Sequence, residues 1–354
     1  MKSFIPALLA ASVGASPLYR AGKSAVESRT IAVTSTDIST FALYAQWAGS
    51  AYCNSEKTVG STVTCSESVC TTVNANNATI VANLGSDKTE TDMIGFAGYD
   101  PVKDQIVVTY RGSSSIRNWL ANIQIDQVPC SKYLSAGLSA SIGSSCKLHE
   151  GFAKAWTSLS NDTYNGVAKA LAAHPSAAIV VTGHSLGGAV ATIAAAELRS
   201  KGYTVDLFTY GSPRVGNTGF VSYLSSQGPV GSVGSSGTSH YRITHMDDPV
   251  PQLPPSDVLN YFHTSPEFWL SNAGVAATST EPGYFEGKID YAVSDVKICT
   301  GYESYSCNAG DPSLNVAAHL SYFEPISGCN SDVLAFKKRD LEIIARLQDQ
   351  PDMA

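Results

Sequence analysis

The chain has 354 residues, 44% of them hydrophobic and 15% charged, with a formal net charge of −7. That length can bury a sizeable core in one large α/β domain or two smaller ones, and so few charges exclude a disordered polyelectrolyte. The acidic balance argues against nucleic acid as a partner, since nothing would neutralise phosphates and the one basic run is Lys337-Lys338-Arg339.

At the N-terminus Lys2, a mostly apolar stretch over 4–14 and the small residues Val13-Gly14-Ala15 form a secretory signal pattern, with residues 1–15 as the signal peptide. The apolar run is too short to span a bilayer and no other segment could span one, so a secreted chain is expected. Residues 16–29 are polar and end at Ser28-Arg29, the pattern of a trimmed pro-segment. Eight cysteines follow: Cys53, Cys65, Cys70, Cys130, Cys146, Cys299, Cys307 and Cys329. An even count suits disulfides in an oxidising compartment, and about 105 pairings stay open. No C-x-x-C is present and Cys65 and Cys70 lack nearby histidines, which argues against zinc. Asn77-Ala78-Thr79 and Asn161-Asp162-Thr163 are acceptor triplets for glycosylation.

The elements alternate. Residues 93–99 and 105–110, joined by 100–104, read as an antiparallel hairpin. In 116–123 the apolar Ile116, Trp119, Leu120 and Ile123 fall at i, i+3, i+4 and i+7, one face of a short helix. That face is either core-facing or a lid, closed over a site in water and opened at an oil surface. Then come a helix over 151–173, a strand over 177–181, a helix over 186–199 and a strand over 205–210. Strands separated by helices indicate a largely parallel central sheet covered on both faces, the α/β class. The Gly/Ser-rich stretch 228–239 reads as a surface loop, followed by a strand over 241–244. Beyond Asn330, residues 333–347 are either an amphipathic helix or, given the tribasic run, a tail removed by processing.

The chemistry centres on Gly183-His184-Ser185-Leu186-Gly187, between the strand at 177–181 and the following helix. A serine between two glycines at a strand-to-helix junction is the nucleophile elbow of a serine hydrolase. The tight turn strains the serine backbone, and it aims the Leu186 N–H and the helix dipole at a reacting carbonyl. An alcohol needs a base, most often histidine, oriented by a carboxylate, and in this arrangement they follow in the order Ser, Asp, His. The strand at 241–244 breaks into His245-Met246-Asp247-Asp248-Pro249, where Asp248 is stiffened by the following proline. Spacing alone does not separate it from Asp247. The histidines after it are His319, beyond a polar loop from which a mobile imidazole reaches a cleft, and His263, amid aromatics and read as a hydrogen-bonded core residue. His184, His149, His174, His240 and His245 precede the acid and read as structural. Upstream, Gly112 permits a tight turn after a strand, and the Ser113 N–H is a second oxyanion donor. With no H-E-x-x-H, neither metal nor cofactor is expected.

Several longer motifs stand in one order: Arg111-Gly112-Ser113-Ser114-Ser115-Ile116-Arg117-Asn118-Trp119, Thr182-Gly183-His184-Ser185-Leu186-Gly187-Gly188-Ala189, Tyr210-Gly211-Ser212-Pro213-Arg214-Val215-Gly216, Asp248-Pro249-Val250-Pro251 and Ala318-His319-Leu320. With them the chain resembles the secreted fungal class 3 lipases, a branch of the α/β-hydrolases, from about residue 30 to 329. The resemblance implies a single lipase domain over 30–332 with a short helical lid over 114–122 and Trp119 at its apolar face. It implies Ser185 as nucleophile, Asp248 rather than Asp247 as acid, His319 rather than His263 as base, and Ser113 and Leu186 as oxyanion-hole donors. For the cysteines it suggests Cys53–Cys329, Cys65–Cys70 and Cys299–Cys307, leaving Cys130 with Cys146. The implied activity is hydrolysis of acylglycerol esters at a lipid–water interface by a monomer. Phospholipase A1 and feruloyl esterase share the scaffold; the apolar residues at 116–123 count against the second, whose flap is polar. A non-catalytic lipid-binding protein on a decayed scaffold would lack a triad member or an oxyanion glycine, and neither is missing.

Overall fold

The computed structural model describes residues 32–329 apart from 67, 87–90, 114–124, 229–237, 282–283 and 312–314. The expected signal, pro-segment and tail lie outside the described residues, as do Ile116, Trp119, Leu120 and Ile123 and most of the loop at 228–239.

The first helix, α1 (Ser35–Asn54), starts at a reciprocal cap in which Asp37 N–H donates to Thr34 Oγ1 (3.2 Å) while Thr34 N–H donates to Asp37 Oδ2 (2.6 Å). Such a box satisfies donors that a helix start leaves orphaned. After the one-turn α2 (Thr71–Ala75) come β1 (Thr79–Gly85), β2 (Ile94–Asp100) and β3 (Gln105–Tyr110), an antiparallel meander. Asp100 sets the β2–β3 turn by accepting the N–H groups of Val102 and Lys103 on Oδ1 (3.0 and 3.2 Å). A small ribbon of β4 (Gln127–Pro129) and β5 (Lys147–His149) encloses α3 (Ala136–Ile142). His149 Nδ1 then caps α4 (Glu150–Ala173) by accepting Phe152 N–H (3.2 Å).

The centre of the sheet follows: β6 (Ala178–His184), α5 (Leu186–Ser200), β7 (Val205–Tyr210), α6 (Thr218–Ser226) and β8 (His240–His245). The chain continues through α7 (Ser256–Leu259), β9 (Glu267–Leu270), the ribbon β10 (Val275–Glu281) and β11 (Tyr284–Asp290), β12 (Val296–Cys299) and the one-turn α8 (Val316–His319). The main sheet has eight strands in the order β1-β2-β3-β6-β7-β8-β9-β12, parallel from β3 through β9 and antiparallel at both edges. This is the largely parallel sheet expected, and the hairpin and central elements lie where the pattern set them.

Strand alternation divides the core into two layers. Val107, Val180, Phe208 and Tyr210 pack with Phe41 and Trp47 of α1 on one face. Val108, Ile179, Val181 and Leu207 pack with Trp156 of α4 and Leu198 of α5 on the other. Covered on both sides, β6 reads as a continuous apolar run instead of an alternating one. Four disulfides join Cys53 to Cys329, Cys65 to Cys70, Cys130 to Cys146 and Cys299 to Cys307. All described residues belong to one compact unit, and none of their helices is long and apolar enough to cross a membrane.

Candidate active site

Ser185 sits between the end of β6 and the start of α5 with φ 58° and ψ −131°. A left-handed φ is costly for a residue with a side chain, and here the surrounding backbone imposes it. Ser185 N–H donates to the Tyr210 carbonyl at the end of β7 (2.9 Å), and the Ser185 carbonyl accepts Gly188 N–H (2.9 Å). Gly187 lets α5 approach the end of β3: a Cβ there would run into the Tyr110 carbonyl. The elbow therefore lies beside residues 111–113, with the first N–H groups of α5 free of intrahelical partners. Leu186 is buried and Ser113 half-buried at the last described position of the loop after β3.

Asp248 follows β8 through a turn closed by its own N–H on the His245 carbonyl (3.0 Å). The side chain is buried, with Oδ1 accepting Val250 N–H (2.9 Å) and Oδ2 accepting both the Tyr322 hydroxyl (2.6 Å) and His319 Nδ1–H (2.8 Å). Its main-chain carbonyl accepts the buried Asn308 amide (2.9 Å), which also donates to the Met246 carbonyl (3.0 Å). Burial and the neighbouring Asp248 carboxylate push the Tyr322 phenol well above its ordinary range, so it remains a donor. Gly211, at the end of β7 with φ 55°, leaves room for this pair, since a Cβ would lie 2.8 Å from Asp248 Oδ2 and 2.9 Å from His319 Nδ1.

His319 ends α8, whose start is capped by Asn315 Oδ1 on Ala317 N–H (3.0 Å). The polar loop before it predicts a mobile imidazole; the structure corrects this. The ring is fully buried and bonded to Asp248, and it packs on the ring of His184 with centroids 4.5 Å apart. Because a carboxylate only accepts, Nδ1 carries the proton and Nε2 keeps a lone pair. His319 Nε2 and Ser185 Oγ are both buried without a hydrogen-bond partner among the described residues. A serine hydroxyl and an imidazole lone pair left unused, next to an imidazole–carboxylate pair, can deprotonate an alcohol as it attacks a carbonyl.

Of the sequence candidates, the fold thus brings Ser185, Asp248, His319 and Leu186 to the C-terminal ends of the central strands, with Ser113 on the adjoining loop. His263 is not part of this cluster: its Nε2 bonds the Pro251 carbonyl (2.7 Å), and burial and the nearby Arg242 and Arg214 hold it well below the usual histidine range. Asp247 is half-buried and accepts Asn315 N–H on its main-chain carbonyl (3.0 Å). Pattern reading missed Tyr322 and Asn308. Tyr322 has a faint signal, three residues past His319, while nothing local marks Asn308.

A profile of the lipase (class 3) family matches residues 107–258. The chain is 38% identical over 330 residues to a secreted mono- and diacylglycerol lipase 1 of Fusarium solani, covering 93% of this chain and 89% of that one. It is 33% identical over 312 residues to the secreted mono- and diacylglycerol lipase A of Penicillium cyclopium, covering 86% and 91%. The chain belongs to the class 3 lipase family. Among solved structures, the mono- and diacylglycerol lipase of Aspergillus oryzae superposes with a TM-score of 0.67 at 30% identity, covering 84% of this chain and 99% of that one. The class 3 lipases are serine ester hydrolases, and the sheet described above is their α/β-hydrolase fold.

Proposed function

We propose that this class 3 lipase is secreted and cleaves acylglycerol esters at lipid–water interfaces through Ser185, His319 and Asp248. The observation that carries the reading is the buried His319–Asp248 pair beside a strained elbow serine, with Ser185 Oγ and His319 Nε2 both unspent. His319 Nε2 takes the Ser185 proton as Oγ attacks the ester carbonyl, and the N–H groups of Ser113 and Leu186 hold the oxyanion. The imidazolium then protonates the departing glycerol oxygen. Water, deprotonated by the same nitrogen, releases the fatty acid and restores Ser185.

Residues 1–15 serve as the signal peptide, 16–29 as a pro-segment, 30–332 as the catalytic domain acting as a monomer, and 333–354 as a C-terminal tail. Residues 114–122 act as the lid, exposing Ile116, Trp119 and Leu120 to lipid together with the adjoining Ile123. The printed names of the Fusarium and Penicillium relatives favour mono- and diacylglycerols among the substrates. The test pairs wild type with Ser185→Ala on emulsified monoolein, diolein, triolein, phosphatidylcholine and methyl ferulate. Wild type is expected to turn over the glycerides fastest and to be labelled on Ser185 by a fluorophosphonate. Ser185→Ala is expected to lose about 10⁶-fold in kcat. Full activity in Ser185→Ala overturns the mechanism, and faster cleavage of phosphatidylcholine or ferulate overturns the substrate class.

A further inference from the structure

Two buried histidines outside the catalytic trio grip the peptide units on either side of His319. His184 Nε2 lies 2.8 Å from the His319 carbonyl oxygen, and His245 Nδ1 lies 2.9 Å from the Ala318 carbonyl oxygen. These two carbonyls flank the Cα of His319, so fixing them fixes the direction in which its side chain leaves the backbone. The grip is needed locally, because α8 is a single turn and too short to hold itself. Its C-terminal carbonyls are weakly served by the chain itself: Leu320 N–H is shared between Ala317 O and Ala318 O, and Ala318 O receives besides only a long bond from Ser321 N–H (3.4 Å).

A carbonyl only accepts, so the proton must sit on Nε2 of His184 and on Nδ1 of His245, opposite tautomers. The remaining nitrogen of each ring meets a tyrosine hydroxyl, Tyr52 at 2.9 Å from His184 Nδ1 and Tyr291 at 3.0 Å from His245 Nε2. The His184 ring thus gives one hydrogen bond and receives one, which suits a neutral imidazole, while the His245 ring also meets the Asn272 main chain. Burial pushes both below the ordinary histidine range, His184 far below it with His319 as a further cause.

We propose that His184 and His245 are positioning residues that lock the backbone of His319 from two sides, each through a fixed and opposite tautomer. This rests on the reading of His319 as the base. Side-chain geometry supplies a reciprocal test: a glutamine amide reaches where Nε2 stood, and an asparagine amide where Nδ1 stood. On a soluble p-nitrophenyl ester, His184→Gln and His245→Asn are expected to keep most of the wild-type kcat. His184→Asn and His245→Gln are expected to lose about 100-fold in kcat, as a slightly misplaced group does, with KM unchanged. Asparagine and glutamine behaving alike at either position, or a change confined to KM, overturns the proposal. Should variants fail to fold, ¹⁵N spectra of histidine-labelled wild type at pH 7 report the tautomers directly. Nε2–H at His184 and Nδ1–H at His245 are expected; the opposite tautomer, or a doubly protonated ring, at either one overturns it. His319→Ala tests the base separately: activity surviving there refutes the base while the tautomers stand unaffected.

Discussion

Ser185 and the His319–Asp248 pair are held in different ways. Main chain fixes the serine: β6 ends in it, α5 starts after it, its N–H is tied to β7, and Gly187 permits the close approach. Mainly side chains fix the pair. Asp248 is gripped by Tyr322, Val250 N–H and Asn308, and the turn bearing His319 by Asn315, His184 and His245. Asn308 directly follows Cys307 of the Cys299–Cys307 disulfide, so even that support is anchored by a cross-link. The ends of two central strands therefore hold the proposed nucleophile, and a network of buried polar contacts holds the proposed base and acid.

The difference predicts opposite sensitivities. Asp248→Asn should cost about 10⁴-fold in kcat, because an amide no longer enforces the Nδ1–H tautomer of His319; steady-state rates beside a melting curve check this, and near-normal kcat would show that Asp248 does not orient the base. On the main-chain side, Gly187→Val should destabilise the fold by about 4 kcal/mol or more, since the added atoms meet the β3 backbone. Urea midpoints read that directly, and a soluble, normally stable variant would show that the elbow is not held as described. Tyr322→Phe should lower kcat about tenfold, the lower end for one hydrogen bond to a charged acceptor, and leave the urea midpoint less affected than Gly187→Val does.

A further effect, spread over several groups, is on acid stability. Burial lowers His184, His245 and His263, and pushes His240 down to about 3. The unfolded chain takes up these protons near pH 6.5 and the folded one does not, so stability falls as pH drops below about 6.5. Glu324, raised well above the carboxyl range by burial, and Asp206, raised to about 6, oppose this by losing stability as pH rises. Four groups against two leave a net loss on acidification, about 1.4 kcal/mol per pH unit for each uncompensated proton. Urea midpoints between pH 6.5 and 4.5 measure it, and a midpoint rising toward acid would contradict the buried neutral histidines.

The same division governs what a reader of the sequence can see. The elbow and the parallel strands leave local marks: an apolar run, a glycine-bracketed serine, a helix-forming run after it. α1 leaves little, since its alanines, serines and tyrosines show no clear period and its start rests on a Thr34–Asp37 cap. Strand β9 and the edge strand β12, four residues each, are too short for alternation to register. Whether Asp247 or Asp248 faces an imidazole depends on a turn and on a helix more than 60 residues downstream, as the sequence separation of 71 between His319 and Asp248 makes plain. Asn308 becomes visible only once the chain has folded back, and Tyr322 is marked only by its nearness to His319, because their partners are main-chain and carboxylate atoms of a distant loop.

The Cys53–Cys329 bond, spanning a sequence separation of 276, has a consequence for survival among proteases. A single cut in any loop between these cysteines severs the chain without releasing either piece. Ser185, Asp248 and His319 all lie inside that covalent ring, so a nicked molecule keeps them on one tethered body until a reductant frees the fragments.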